Sequence, residues 1–217
     1  MAILLKTKGI LFVPAAKIAC TSIKKFFFHI ENGREFEPMT INGNKINAHK
    51  LYKSGMLARI LPAAELEKLY RVTLVRDPIK RFLSAYSNRV NFHKELSVKK
   101  AGENLKNLDL QPDPDIHLFI ERFDEYKKAN RSINRHTMPL VEFLGADPGY
   151  YNKIYCISEI EDFRQDIVQR VGMDLKMPYA QTGGKKVDIN TLSESEIDKI
   201  RQLYKEDYET YGSFIKS

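Results

Sequence analysis

The sequence contains no tryptophan and only two cysteines, Cys20 and Cys156, far apart and without a Cys-x-x-Cys pair. A disulfide framework and a thiolate zinc site are therefore not expected, and the chain reads as one made for a reducing compartment. No stretch of about 18 apolar residues occurs, and the opening Met-Ala-Ile-Leu-Leu is interrupted at Lys6 and Lys8, so neither a signal-peptide core nor a membrane span is expected. Internal repeats and Gly/Ser linkers are missing. With 11 Gly and 9 Pro in 217 residues, collagen-like and low-complexity chains are excluded as well. The Walker signature GxxxxGK[ST], with its loop glycines, is also absent.

What is present is enough for a packed core: 43% hydrophobic residues, including 12 Phe and 11 Tyr, against 29% charged. The length fits one domain, expected over residues 1–217. Thirty-five basic against 28 acidic residues give +7, a balance that favours solubility and attracts anions: nucleic acid, an acidic membrane surface or a phosphorylated cofactor. Apolar runs at Gly9–Val13, Tyr70–Val75 and Lys153–Ile157 read as strands. Helical patterns follow at 23–30, 51–60, 62–69, 79–91, 115–128, 161–171 and 191–208. Asn42-Gly43 marks a loop or hairpin, and the lysine-rich stretch 92–113 reads as a mobile surface loop. Strands alternating with helices predict an α/β fold: a P-loop-NTPase-like, mainly parallel central sheet flanked by helices.

In such sheets, ligands sit where strands end and helices begin, because helix N-termini direct amides towards anions. Lys17-Ile18-Ala19-Cys20-Thr21-Ser22 occupies that place after the first strand, with small side chains, two hydroxyls and one flexible cation. Arg76 stands at the end of the Tyr70–Val75 strand, Asp77 and Pro78 suit a helix start, and Ser84 lies two turns on. A guanidinium fork and a hydroxyl there form a second anion site. Two such sites suit a cofactor with two separated phosphates.

These segments together resemble the carbohydrate sulfotransferases. Lys17 to Ser22 is similar to their 5′-phosphosulfate loop, Pro-Lys-x-Ala-Cys/Gly-Thr-Ser. Arg76-Asp77-Pro78 through Ser84-Ala85-Tyr86 is similar to their 3′-phosphate motif. Weaker likenesses follow in Asn134–Pro139 (Asn-x-His-x-x-Pro), Ile157–Phe163, and Asp207-Tyr208 to Tyr211-Gly212, so the resemblance spans roughly residues 9–213. Two departures are visible: Ala16 stands where the family has proline, and Leu140 where it often has glutamine.

The resemblance implies transfer of a sulfuryl group from 3′-phosphoadenosine 5′-phosphosulfate to a hydroxyl of a glycan, glycolipid or similar acceptor, without metal. Lys17 would stabilise the leaving phosphate oxygen. Ile18, Ala19, Cys20, Thr21 and Ser22 would hold the 5′-phosphate, and Arg76 and Ser84 the 3′-phosphate. Lys185, with Lys186 after Gly183-Gly184, would close over the nucleotide. The base would be His49, which lies between the two cofactor motifs, or else His136. His29 and His117 read as packing residues, and His93 as solvated loop. The expected partner is a hydroxyl-bearing acceptor, not nucleic acid, and the expected setting is a bacterial cytoplasm, with an excised luminal domain as the alternative. An ATP-dependent kinase and a nucleotide-binding protein without turnover are the competing readings. The first calls for a glycine-rich loop and a metal-holding acidic strand end, neither of which the sequence offers.

Overall fold

Four strands form a mixed, mostly parallel sheet in the order β1-β2-β5-β6: Ile3–Leu5, Ile10–Val13, Tyr70–Val75 and Lys153–Cys156. The structure is a computed structural model describing residues 2–41, 43–52, 62–179 and 183–216. β2, β5 and β6 run parallel, in register Val13↔Thr73 and Val75↔Cys156, while β1 pairs antiparallel to β2. The central strands are near-continuous apolar runs, as expected of strands covered on both faces: Ile10, Leu11 and Phe12, and Val72, Leu74 and Val75, are all buried. β1 was not anticipated. It is three residues long, and the lysines that break its apolar run form the 3₁₀ turn leading back into β2.

The chain divides into two compact units, Met1–Val75 with Phe143–Ala180 and Phe214–Ser217, and Arg76–Glu142 with Gln181–Ser213. The first holds the sheet and two long helices, α1 (Cys20–Asn32) and a later one over Ile160–Val171. Phe12 of β2 meets Phe27 of α1 at 5.5 Å and Phe163 of the later helix at 5.6 Å, so both helices cover the same sheet face. The Phe26–Phe28 run is core, as its periodicity suggests. Of the two expectations for the Asn42-Gly43 stretch, loop or hairpin, the structure has the hairpin, with strands β3 (Met39–Ile41) and β4 (Asn44–Ile46). After it come the short helices α2 (Ala48–Leu51) and α3 (Ala63–Leu66). The predicted helix over 51–60 lies almost wholly outside the described residues.

The second unit is helical. α4 (Pro78–Tyr86) buries Ile79, Phe82, Leu83 and Tyr86, one face at helical spacing. Phe82 packs against Phe119 at 5.6 Å and Phe123 at 5.2 Å, at the centre of this unit's core. The stretch 92–113 is not a loose loop. It contains α5 (Val98–Asn107), and Leu96, Ala101, Leu105 and Leu110 are buried at spacings that the surrounding lysines obscure. Tyr126 and Tyr86 fix the end of this stretch, donating to the Gln111 and Pro114 carbonyls at 2.8 and 3.0 Å. The helix predicted over 115–128 breaks at Arg122 into α6 (Ile116–Glu121) and α7 (Phe123–Ala129). α8 (Arg131–Thr137) and α9 (Leu140–Leu144) follow, with α10 the Ile160–Val171 helix of the first unit. The C-terminal helix likewise breaks at Tyr204 into α11 (Glu194–Leu203) and α12 (Lys205–Tyr211), and its cap is Ser193 rather than Thr191.

Candidate active site

The loop after β2 is built by strand pairing. Thr73, fully buried on β5, donates its hydroxyl to the carbonyl of Val13 at 2.7 Å, which fixes the last residue of β2. Ala15 and Ile18 are buried and anchor the turn. Lys17 and Ala19 adopt left-handed backbone, with φ of +66° and +45°. Side-chain-bearing residues pay about 1–2 kcal/mol each for that conformation, and such strain concentrates at functional sites. Alternation of this kind curls successive amides into an anion-binding concavity. Neither Lys17 nor Ala19 is a glycine, the one residue that adopts this conformation freely. α1 starts at Cys20 with no side-chain cap, so its first-turn amides point out along the helix axis, with Thr21 half-buried and Ser22 buried beside them.

β5 runs beside β2 in parallel, so both strands leave the sheet at the same end, and the residue after β5 is Arg76. Asp77 caps α4 as predicted, accepting from the Lys80 amide at 2.8 Å, with Pro78 in the first turn. Arg76 is half-buried. Burial pulls its guanidinium below the ordinary value, Asp77 pulls it up, and Arg81 pushes it down again. Burial is the largest of these effects, so the site disfavours an isolated charge on Arg76. Ser84 lies half-buried on the same helix.

Three sequence segments converge on α4 in a way that their spacing does not reveal. Tyr208 donates to Asp77 at 3.0 Å, so α12 braces the residue that caps α4. Asp207 is fully buried and accepts from the amides of Leu140 and Val141 at 2.7 and 3.0 Å, capping α9. Arg81, also fully buried, donates to the Met138 carbonyl at 2.6 Å, lies 3.7 Å from Asp207 and stacks over the Tyr204 ring at 5.1 Å. Tyr204 donates to the Thr137 carbonyl at 2.6 Å. The turn Thr137–Val141 is therefore gripped at two carbonyls and two amides. Burial raises the pKa of Asp207 against the pull of those amides and Arg81, and burial also lowers that of Arg81, so desolvation outweighs attraction in this pair. Sequence reading missed Arg81 and Tyr204. The signal was an arginine on a helix flank otherwise occupied by Pro78, Ile79 and Ala85.

His136 sits at the end of α8, half-buried, with Nδ1 at 2.7 Å from the Ser132 carbonyl. A carbonyl can only accept, so in the neutral ring Nδ1 carries the proton and Nε2 keeps the lone pair. His49 falls in α2, and its side chain lies outside what the structure describes. His117 is not a packing residue. It is exposed and pairs with Glu196 at 2.7 Å, an interaction that raises its pKa. Lys185 and Lys186 are exposed and follow Gly183-Gly184, which lie against the chain just beyond α4. No helix among the described residues is long and apolar enough to cross a membrane.

A mixed, mostly parallel sheet whose strands lead into helices places the chain in the class of α/β proteins, in which ligands sit beyond the carboxyl ends of the strands. Within that class the chain belongs to the sulfotransferase family, whose type 2 profile matches residues 2–214. No curated protein and no solved structure gives a significant match.

Proposed function

We propose that the protein transfers a sulfuryl group from 3′-phosphoadenosine 5′-phosphosulfate to a hydroxyl of a glycan, glycolipid or similar acceptor. The observation that carries this reading is the Lys17–Ser22 loop, with left-handed backbone at Lys17 and Ala19 directly before an uncapped helix. The donor supplies an activated sulfuryl group bonded to a phosphate oxygen that leaves in an in-line displacement. Amides of Ile18 to Ser22 and the Thr21 and Ser22 hydroxyls hold the 5′-phosphate, and Arg76 and Ser84 hold the 3′-phosphate. Lys17 neutralises charge that grows on the leaving oxygen in the transition state, so its effect falls on turnover more than on binding.

The acceptor hydroxyl must lose its proton to a base on this chain. His49 holds that role by its place between the two phosphate elements. His136 is favoured as a second reading by one observation: the Ser132 carbonyl sets the tautomer in which Nε2 can accept a proton.

The test is thermal melting in EDTA with 3′,5′-adenosine bisphosphate and, separately, with ADP, for the parent and for Arg76→Ala. Ligand at about 100 times its dissociation constant stabilises by about 2.7 kcal/mol, which for a chain of this size raises Tm by roughly 5–10 °C. A shift given by the bisphosphate alone and lost in Arg76→Ala supports the donor assignment. An equal shift with ADP overturns it.

A further inference from the structure

α1 holds the candidate phosphate loop at its N-terminal end, and one flank of the same helix ties down a second segment. Residues four and seven apart on a helix share a face, so Cys20, Lys24 and Glu31 line one stripe along α1. The stripe is covered near the loop: Lys24, a cation, is only 2% exposed. Farther along, two side chains of the following segment are clamped to the helix. The Phe36 ring meets Phe28 edge-on at 5.3 Å, and the Tyr52 hydroxyl donates to Glu31 Oε2 at 2.7 Å. Phe36 and Tyr52 are both buried. Between these anchors the chain makes the β3–β4 hairpin and α2, the short helix that contains His49. Ala48, at the start of α2, is buried, and α2 packs on α1.

A buried tyrosine hydroxyl needs a partner, and a carboxylate supplies a charge-assisted one. Burial and that carboxylate push the Tyr52 hydroxyl well above its ordinary pKa, so it stays a donor throughout the neutral range. Side chains on a helix lean toward its N-terminus, so Glu31 reaches back in the direction of Cys20. Neither Tyr52 nor Glu31 stands in a segment that matches a sulfotransferase motif. We propose that Tyr52 and Glu31 are positioning residues: their bond holds the α2 turn on the α1 flank that begins at the phosphate loop, and so sets the reach of His49 to the acceptor hydroxyl. The proposal rests on the reading of His49 as the base. Donor and base are then both indexed to one helix, and a misplacement of about 1 Å between them costs turnover without weakening the donor's own contacts.

The experiment is nuclear magnetic resonance of the histidine Cε1–H groups, with and without 3′,5′-adenosine bisphosphate, in the parent, Tyr52→Phe, Glu31→Ala and Glu31→Gln. Folding is checked by circular dichroism and binding by the rise in Tm. Five histidines give five signals, and the His49 signal is the one missing from His49→Gln. The bisphosphate places an anion in the loop, whose field acts over about 10 Å. Its addition should move the His49 signal of the parent. In Tyr52→Phe and Glu31→Ala that movement is lost although the bisphosphate still raises Tm, and in Glu31→Gln, whose amide oxygen still accepts from Tyr52, it returns. Because Glu31 is exposed, Glu31→Ala leaves the core intact. An equal movement in the parent, Tyr52→Phe and Glu31→Ala overturns the proposal and leaves the base reading intact. A parent in which the bisphosphate raises Tm but leaves the His49 signal in place overturns the base reading and the proposal with it. One in which it does neither overturns the donor reading as well.

Discussion

The buried Asp207–Arg81 pair allows a sharp test of what holds the helical unit together. Replacing Asp207 with alanine removes two acceptors at once, stranding the Leu140 and Val141 amides, and leaves Arg81 with no carboxylate nearby at 0% exposure. Each stranded buried donor costs about 1–3 kcal/mol. Breaking a buried pair from one side costs about 3–5 kcal/mol by a separate route. The two estimates overlap, so Asp207→Ala should lose about 3–5 kcal/mol, or roughly 6–20 °C in Tm. Arg81 behaves differently. Its Nε and Nη1 have no hydrogen-bond partner among the described residues, and its charge is held below its ordinary pKa by burial. Arg81→Met exchanges a poorly satisfied cation for an apolar chain of similar length; it leaves the Met138 carbonyl without its donor and Asp207 without its cation, but Asp207 keeps the Leu140 and Val141 amides. Its cost should stay below that of Asp207→Ala. Urea unfolding followed by far-ultraviolet circular dichroism measures both, since there is no tryptophan to report. If Arg81→Met proved more damaging than Asp207→Ala, attraction between the charges would dominate and the desolvation argument would be wrong.

Lys17→Ala should lower kcat by about 10²–10³ while leaving the donor KM little changed, the signature of a group needed mainly in the transition state; steady-state kinetics with the donor varied decides this. Tyr208→Phe removes the hydroxyl that braces Asp77 and should cost about 1–2 kcal/mol in the same urea assay. Asp166 accepts from Tyr70 and Tyr155 at 2.5 and 2.8 Å and from Arg170 at 2.9 Å. Burial pushes its pKa up, but these partners outweigh burial and hold it below the ordinary 3.8. The folded state thus binds fewer protons than the unfolded chain, so this contribution is present above pH 3.8 and lost as pH falls through the lowered value. Asp166→Asn should be less stable than the parent at pH 7, with the gap closing in acid; a gap that is constant with pH would refute the assignment.

The elements that the sequence announces are those whose signal is local. β2, β5 and β6 are short apolar runs closed by polar or proline residues, and Asp77-Pro78 carries a helix start in two letters. The stretch 92–113 fails for a related reason. Its buried Leu96, Ala101, Leu105 and Leu110 are interleaved with the exposed Lys94, Lys99, Lys100 and Lys106 and with other polar residues, so composition hides the spacing. The left-handed loop was half legible: Lys17 could be named, but the residues that twist there are not glycines. What no scan of side chains could supply is the joining of the Arg-Asp-Pro, His-x-x-Pro and Asp-Tyr segments. Most of the links run to backbone groups, namely the Thr137 and Met138 carbonyls and the Leu140 and Val141 amides, and those atoms are the same whatever residues stand there. This also bears on the substitution at position 140. The turn needs an amide from Leu140 and burial of its side chain at 0% exposure, so leucine serves the structure fully in place of the family's frequent glutamine. The buried Leu140 side chain thus serves packing at this turn, and the polar groups that the turn fixes are its backbone amides and carbonyls.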